Sequence, residues 1–129
     1  MSWIQLLGGA IRLSVVPLGM AMFVTSIGVL LFGAVLYFIE RGDYDGNRRL
    51  YVDTNGRVAA MQSIVDGCWW CLQTITTVGY NDVPIVTGLG KLVASFAAIF
   101  GIVLIAIPIS IISLNFTHLH NVMLRRRAL

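Results

Sequence analysis

Charged residues are scarce in this chain, and two long stretches have none. Only 12% of the 129 residues are Asp, Glu, Lys or Arg, about half the usual share, whereas 57% are hydrophobic. Residues 13–39 and 92–124 contain none of these four residue types. Each stretch exceeds the roughly 20 residues that a helix needs to cross the apolar core of a bilayer. This composition excludes a small soluble domain and predicts two transmembrane helices.

Cysteine is also nearly absent, which leaves little room for thiol or metal chemistry. The two cysteines, Cys68 and Cys71, form the motif Cys-Trp-Trp-Cys, which is one pattern of redox or metal-binding pairs. A second pair, as a zinc site would need, is missing. On a helix these positions lie one turn apart, where small thiols pack as hydrophobic groups. We therefore expect no enzyme activity and no catalytic residues, and keep a membrane thiol oxidoreductase that uses both cysteines as an alternative.

The few charges indicate how the chain crosses the membrane. Arg12 precedes the first uncharged stretch and residues 125–127, all Arg, follow the second, so both termini should be cytoplasmic. All six acidic residues lie within residues 40–91, which should then be extracellular. The first stretch is too long for a signal peptide and lacks a suitable cleavage site. We expect an integral protein of the cell membrane, surrounded by the lipid bilayer and with no nucleic-acid partner.

A short polar stretch lies between the two apolar ones. Residues 74–82 read Thr-Ile-Thr-Thr-Val-Gly-Tyr-Asn-Asp and follow an apolar run that is too short to span a membrane. Irregular polar backbone occurs at membrane depth only where it is buried in protein or lines a water-filled path. Backbone carbonyls can replace the water shell of a cation if successive residues aim them at one axis. Some residues must then be left-handed, which Gly79 permits and Asn81 tolerates.

The stretch Thr77-Val78-Gly79-Tyr80 resembles the core of the potassium-channel filter, and the likeness extends along the chain. The sequence resembles the voltage-gated potassium channel family in residues 4–8, 27–32, 69–82, 91–93, 101, 106–108 and 115–116. The resemblance implies that K⁺ is coordinated by the hydroxyl and carbonyl of Thr77 and by the carbonyls of Val78, Gly79 and Tyr80. Asn81 stands where the family usually has Gly, so a nonselective cation pore is an alternative.

The same resemblance assigns supporting residues around this filter. In that family, the residues that correspond to Trp69 and Asp82 form a hydrogen bond behind the filter. Trp69, Trp70 and Asp82 are therefore expected to support the filter. The inner helix is expected to bend at Gly101 and Pro108. The face that carries Ile105, Ile109 and Ser113 is expected either to line a gate or to serve helix packing.

One loop gives one oxygen per layer of the filter, whereas a cation needs several. We therefore expect a homotetramer, in which three identical subunits join each chain around a four-fold axis. The predicted fold is an all-α membrane protein with two transmembrane helices that flank a re-entrant pore helix and selectivity filter. A potassium transporter with repeated pore loops would place four divergent repeats in one chain, and only one is present.

A voltage sensor is missing from the sequence, since no segment carries Arg or Lys at every third residue. We expect an isolated pore module, natural or truncated, whose gating in a parent protein is voltage-dependent through a covalently linked sensor. The predicted parts of this single pore domain are an interfacial linker helix at 3–16, an outer helix at 18–39, an extracellular loop at 41–62, a pore helix at 63–76, a filter at 77–82, an inner helix at 92–118 and a cytoplasmic tail at 119–129.

Three segments leave alternatives at this stage. Residues 3–16 fit an interfacial helix that ends at a turn near Pro17, or an extension of the first span. For the loop at 41–62, we expect a disordered segment rather than a small hairpin of residues 48–52 with 57–58. Ser63 is expected to cap the pore helix.

Overall fold

Three helices and one small hairpin form the described part of the chain. The computed structural model describes residues 3–128. Its elements in chain order are α1 (Trp3–Glu40), β1 (Asp43–Asp45), β2 (Leu50–Val52), α2 (Ile64–Ile75) and α3 (Gly88–Ala128). Segments of α1 and α3, Leu7–Glu40 and Gly88–Arg125, are long and apolar enough to cross a membrane. The prediction of two long helices on either side of a short one is confirmed.

The residues group into two compact units. One unit consists of α1 up to Val24 together with α3 from Val103 onward, and the other extends from Thr25 to Ile102. The second unit therefore contains the hairpin, α2 and the whole polar stretch after it.

Of the two alternatives for residues 3–16, the structure shows the extension of the first span: α1 is one helix of 38 residues with Pro17 inside it, without the predicted boundary between 3–16 and 18–39. Proline removes a single backbone hydrogen bond, and the apolar residues on both sides continue the helix. In the first unit, the buried Ser14 hydroxyl donates to the Ala10 carbonyl (2.8 Å) and accepts from the Asn115 amide of α3 (2.8 Å). This polar contact joins α1 to α3 along the stretch that was predicted to be an interfacial linker.

The inner helix is longer at both ends than the predicted 92–118. It begins at Gly88, where the Thr87 hydroxyl accepts from the Gly90 N–H (2.9 Å). The buried Glu40 carboxylate, at the end of α1, accepts from the N–H groups of Val86 and Thr87 (3.0 Å each). These acceptors satisfy N–H groups that a helix start leaves without partners. No Gly or Pro follows Pro108, so the helix continues through most of the predicted tail 119–129, of which Leu129 lies outside the described residues.

The loop between α1 and α2 is folded, so the expectation of a disordered segment is wrong. Strands β1 and β2 pair antiparallel, with Asp43 opposite Val52 and Asp45 opposite Leu50. The predicted hairpin with residues 57–58 is reduced to one bridge between Val52 and Val58. We call residues 43–52 the outer hairpin.

Aspartates build the two turns of this loop. The Asp45 carboxylate accepts from the N–H of Asn47 (2.9 Å) in the turn between the strands. The Asp53 carboxylate accepts from the N–H groups of Arg57 (2.9 Å) and Asn55 (2.8 Å) in the next turn. These bonds, led by the one from Arg57, hold the pKa of Asp53 below its usual value. An Asp side chain that accepts hydrogen bonds from nearby backbone N–H groups stabilises a turn, because these N–H groups have no partner in a strand.

One buried cluster joins the outer hairpin to the helices of the second unit. Its members are Leu36 and Tyr37 of α1, Met61 before α2, and Val83 after the polar stretch. Around them pack Tyr51, Trp70, Ile85, Val93 and Ala94, so β2 and all three helices contribute to this core.

Candidate functional site

The short helix α2 is fixed at both ends. Ser63 is its N-cap and Asp66 completes a capping box, as the sequence predicts for the cap: the Ser63 hydroxyl accepts from the Asp66 N–H, and the Asp66 carboxylate accepts from the Ser63 N–H. The observed helix, Ile64–Ile75, is one residue shorter at each end than the predicted 63–76 because Ser63 and Thr76 are its caps.

Two close contacts with glycine set the position of α2 between the long helices. A Cβ at Gly67 would collide with the Gly33 carbonyl of α1, and a Cβ at Gly33 would lie 2.7 Å from the Cys68 nitrogen. A Cβ at Gly101 of α3 would lie 2.9 Å from the Ile75 side chain, at the end of α2. Small residues let helices approach closely in membranes. Gly101, predicted as a hinge, therefore has a packing role, and its bending stays a prediction.

The backbone after α2 is left-handed at every second residue. Thr77, Gly79 and Asn81 have φ angles of 61°, 63° and 59°. The prediction of left-handed backbone at Gly79 and Asn81 is thus confirmed. Thr77 was not expected, since a β-branched residue at positive φ is strained. A strand whose residues share one conformation alternates its carbonyls between two sides, whereas a change of handedness at each second residue can turn them to the same side.

Hydrogen bonds from this stretch show where its carbonyls point. The N–H groups of Val78 and Gly79 both donate to the Gln73 carbonyl (2.9 and 3.1 Å), and the Thr77 N–H donates to the Thr74 carbonyl (3.1 Å). In a trans peptide the C=O points opposite to the N–H of the same unit. The carbonyls of Thr76, Thr77 and Val78 therefore point away from α2.

The Gln73 side chain continues this pattern by one residue. Its oxygen accepts from the Tyr80 N–H (2.7 Å), so the Gly79 carbonyl also points away. Its amide nitrogen donates to the Asp82 carboxylate (2.8 Å). Gln73 is buried, with 3% of its surface exposed. It was not identified from the sequence, although a single amide within an apolar helix was a usable signal.

The predicted contact between Trp69 and Asp82 is present. The Trp69 indole N–H donates to the Asp82 carboxylate (2.8 Å), on the oxygen that Gln73 leaves free. The Gln73 and Trp69 donors hold the pKa of Asp82 below its usual value, so this residue is charged at neutral pH. The Trp69 ring also stacks on Tyr80, with centroids 5.9 Å apart. Trp70 lies elsewhere, against the buried cluster that contains Val83.

Residues 76–82 are exposed in the single chain. A row of consecutive carbonyls, directed away from the helix that holds it, thus lies open on one side. Among the described residues there is no group of three or more His, Cys, Asp or Glu side chains that could hold a metal ion. The arrangement suits a monovalent cation held by backbone oxygens from several copies of the stretch.

The residues predicted to form a gate lie in the first unit and belong to α3. Ile105, Ile109 and Ser113 follow one another at four-residue spacing, and Ile109 and Ser113 are exposed. Pro108 is inside the helix, so the Leu104 carbonyl lacks its usual N–H partner. The Ser110 hydroxyl donates to the Ala106 carbonyl (2.8 Å) beside it. The gate and the bend at Pro108 stay predictions.

The cysteines form no disulfide. Cys71 is fully buried, and Cys68 lies against Gly33 of α1 at the crossing of the two helices. These positions agree with a packing role.

Comparison with known proteins gives a consistent result. Residues 2–121 match the family model described as Ion transport protein. The chain is 36% identical over 118 residues to the potassium voltage-gated channel subfamily A member 4 of Homo sapiens. The aligned residues cover 92% of this chain and 16% of that protein. The identity to subfamily A member 6 of Mus musculus is also 36%, covering 92% of this chain and 20% of that protein. The chain thus spans about a fifth or less of these relatives.

Proposed function

Since the chain belongs to the ion transport protein family, we propose that it forms the pore of a potassium-selective channel. Potassium ions cross the membrane passively, coordinated by the Thr77 hydroxyl and by the carbonyls of residues 77–80. The observation that carries this proposal is the row of carbonyls of residues 76–79, which the N–H bonds to Gln73 and Thr74 turn away from α2; the Tyr80 carbonyl is included on the family motif alone.

The exposed row favours an assembly of four copies. One chain offers one oxygen per layer, whereas a desolvated cation needs several. A homotetramer around a four-fold axis supplies four and covers the exposed residues 76–82. The C-terminal ends of four α2 helices would then face the axis, where their partial negative charge favours a cation.

Repulsion between ions supports fast passage. Two sites two residues apart along an extended chain are separated by roughly 7 Å. Two monovalent cations at that distance repel each other by about 2 kcal/mol at an effective dielectric constant of 20. This repulsion offsets tight binding and lets ions leave.

The membrane orientation follows from the charges. With Arg12 and the arginines after residue 124 in the cytoplasm, the outer hairpin and the exit of the filter near Asp82 are extracellular. The relatives are named voltage-gated. No segment of these 129 residues has the Arg or Lys periodicity of a sensor, so a voltage response requires a covalently linked sensor in a longer protein.

Flux measurements on purified protein in lipid vesicles test this function. We expect potassium to pass and sodium to be excluded, and cross-linking in detergent to reach four subunits. Equal fluxes of the two ions would favour the nonselective cation pore, for which Asn81 at the outer filter is the motivating residue. Cross-linking that stops at a dimer would reject the four-fold filter.

A further inference from the structure

Gln62 forms hydrogen bonds both to the outer hairpin and to the start of α2. We propose that Gln62 couples the hairpin to the N-terminal end of α2, so that the hairpin controls how long the filter remains conducting. This inference deepens the proposed channel function and rests on it.

The Gln62 side chain binds the hairpin as a neighbouring strand would. Its oxygen accepts from the Tyr51 N–H (2.9 Å), and its nitrogen donates to the Tyr51 carbonyl (2.9 Å). The same nitrogen donates to the Ala59 carbonyl (2.8 Å). A primary amide is the side-chain group that supplies one acceptor and two N–H donors together. The three bonds therefore require Gln or Asn chemistry at this position.

The main chain of Gln62 binds α2. Its N–H donates to the Asp66 carboxylate (2.9 Å), and the next N–H, of Ser63, donates to the same oxygen (2.8 Å). Asp66 lies in the first turn of α2, where a negative charge is favourable near the helix N-terminus. One residue thus holds β2 with its side chain and the first turn of α2 with its backbone.

The hairpin is itself anchored on the outer helix. The Tyr51 ring packs on the buried cluster at the end of α1. The Arg41 guanidinium lies 5.4 Å from the centre of the Tyr51 ring. Gly42 has a φ of 68°, and a Cβ there would collide with the Val52 carbonyl. The hairpin cannot move away from α1 without losing this packing, so it is a fixed support for Gln62.

Movement at the start of α2 is transmitted to the filter. α2 has 12 residues, about 18 Å in length, and its last carbonyls, at Gln73 and Thr74, receive the N–H groups of residues 77–79. If the first turn is released, α2 can tilt and these acceptors shift. The carbonyls that depend on those bonds then lose their alignment.

The first test replaces Gln62 by Met, which keeps a similar size and removes the amide. Asn47→Met is the matched control: Asn47 lies exposed in the same hairpin, where its backbone N–H bonds Asp45. In single-channel recordings we expect Gln62→Met to keep the unit conductance and the potassium-to-sodium selectivity and to shorten conducting periods about tenfold, a change of about 1.4 kcal/mol. Asn47→Met should match the parent. Conducting periods equal to the parent's in Gln62→Met, or equally shortened in Asn47→Met, would overturn the proposal.

A second variant, compared with itself at two pH values, keeps the proposal testable even if Gln62→Met does not assemble. Gln62→Glu at pH 8 places a carboxylate against the carbonyls of Tyr51 and Ala59, whereas a protonated Glu can donate to one of them. Ionisable groups around this position are the Asp66 carboxylate of α2, which accepts from the backbone N–H of residue 62, the phenol of Tyr51, whose backbone bonds the residue 62 side chain, and the Arg41 guanidinium, which lies over the Tyr51 ring. Lowering the extracellular pH from 8 to 4.5 should lengthen its conducting periods several-fold, with no such change in the parent. Conducting periods that do not respond to pH in this variant would contradict the coupling.

Amide hydrogen exchange separates the coupling from the channel function. The N–H groups of Tyr51 and Ser63 should exchange at least tenfold faster in Gln62→Met than in Asn47→Met. If the parent passes no potassium, the proposed function fails, and the exchange rates still decide whether Gln62 links the two elements. If potassium passes selectively but the exchange rates do not differ, the coupling fails alone.

Discussion

The Gln73 amide offers the sharpest test of how the filter backbone is held. It accepts from the Tyr80 N–H at 2.7 Å and donates to the Asp82 carboxylate at 2.8 Å. Gln73→Met removes both bonds with little change in volume. The Tyr80 N–H then loses its partner, and a buried donor without a partner costs about 1–3 kcal/mol.

We take about 2 kcal/mol for the loss, because the filter is partly accessible to water that can replace some of the bonding. At 1.4 kcal/mol for each factor of ten, the equilibrium between conducting and non-conducting filters shifts by roughly 30-fold. Macroscopic currents in planar bilayers should therefore decay much faster during sustained opening. The initial current should change less, because the bonds from residues 77–79 to backbone carbonyls of α2 remain.

Val65→Met provides the matched control for this measurement. Val65 is 72% exposed in the first turn of the same helix, and it receives the same new side chain far from the filter. The reasoning is refuted if currents from Gln73→Met decay at the parent's rate, or if Val65→Met accelerates decay to the same degree.

Three further predictions concern the filter and its support. Asn81→Gly should keep potassium selectivity, and Asn81→Val should lose conduction because a β-branched residue resists the φ of 59°; selective flux through the Val variant like that of the parent would contradict the conformation. Gly67→Ala should destabilise the protein by about 1–3 kcal/mol, because its methyl group meets the Gly33 carbonyl. The control, Gly46→Ala, lies at a position with nothing near an added Cβ and should leave the thermal midpoint of unfolding nearly unchanged. Asp82 has a lowered pKa, so its contribution to the stability of the folded state is fully present above its ordinary pKa near 4 and is lost as the pH falls through the lowered value. The rate of current decay should therefore be constant from pH 8 to 5. Faster decay within that range would count against a charged Asp82 as the acceptor for Trp69.

The parts that the sequence predicted well are those that depend on local chemistry. The absence of charge over 27 or more residues predicts a spanning helix whatever it packs against. Ser63 caps α2 because its own hydroxyl reaches the backbone three residues on. The conformation of Asn81 follows from the small set of residues that tolerate positive φ.

The parts that failed depend on residues far apart in the chain. Strand β1 pairs with β2 in a loop whose second strand is held by Gln62, 11 residues beyond Tyr51, and no periodicity in residues 43–60 encodes that bond. The start of α3 is shifted by the Glu40 carboxylate, which bonds the N–H of Val86, 46 residues later in the chain. The conformation of Thr77 contradicts its own preference, because three backbone bonds to the end of α2 impose it.

The dependence of α2 on both long helices has a consequence for biosynthesis. A 12-residue helix is only marginally stable in isolation, and the glycines that seat this one, Gly33 and Gly101, come 34 residues before Gly67 and 26 residues after Ile75. The nascent chain can therefore form α1 early, but α2 lacks its second contact until α3 has left the ribosome and entered the bilayer. Contacts at such sequence separation form slowly. Folding of the polar stretch should thus follow insertion of the last helix, and a ribosome stalled before residue 101 should carry a chain whose residues 64–82 are still accessible to proteases.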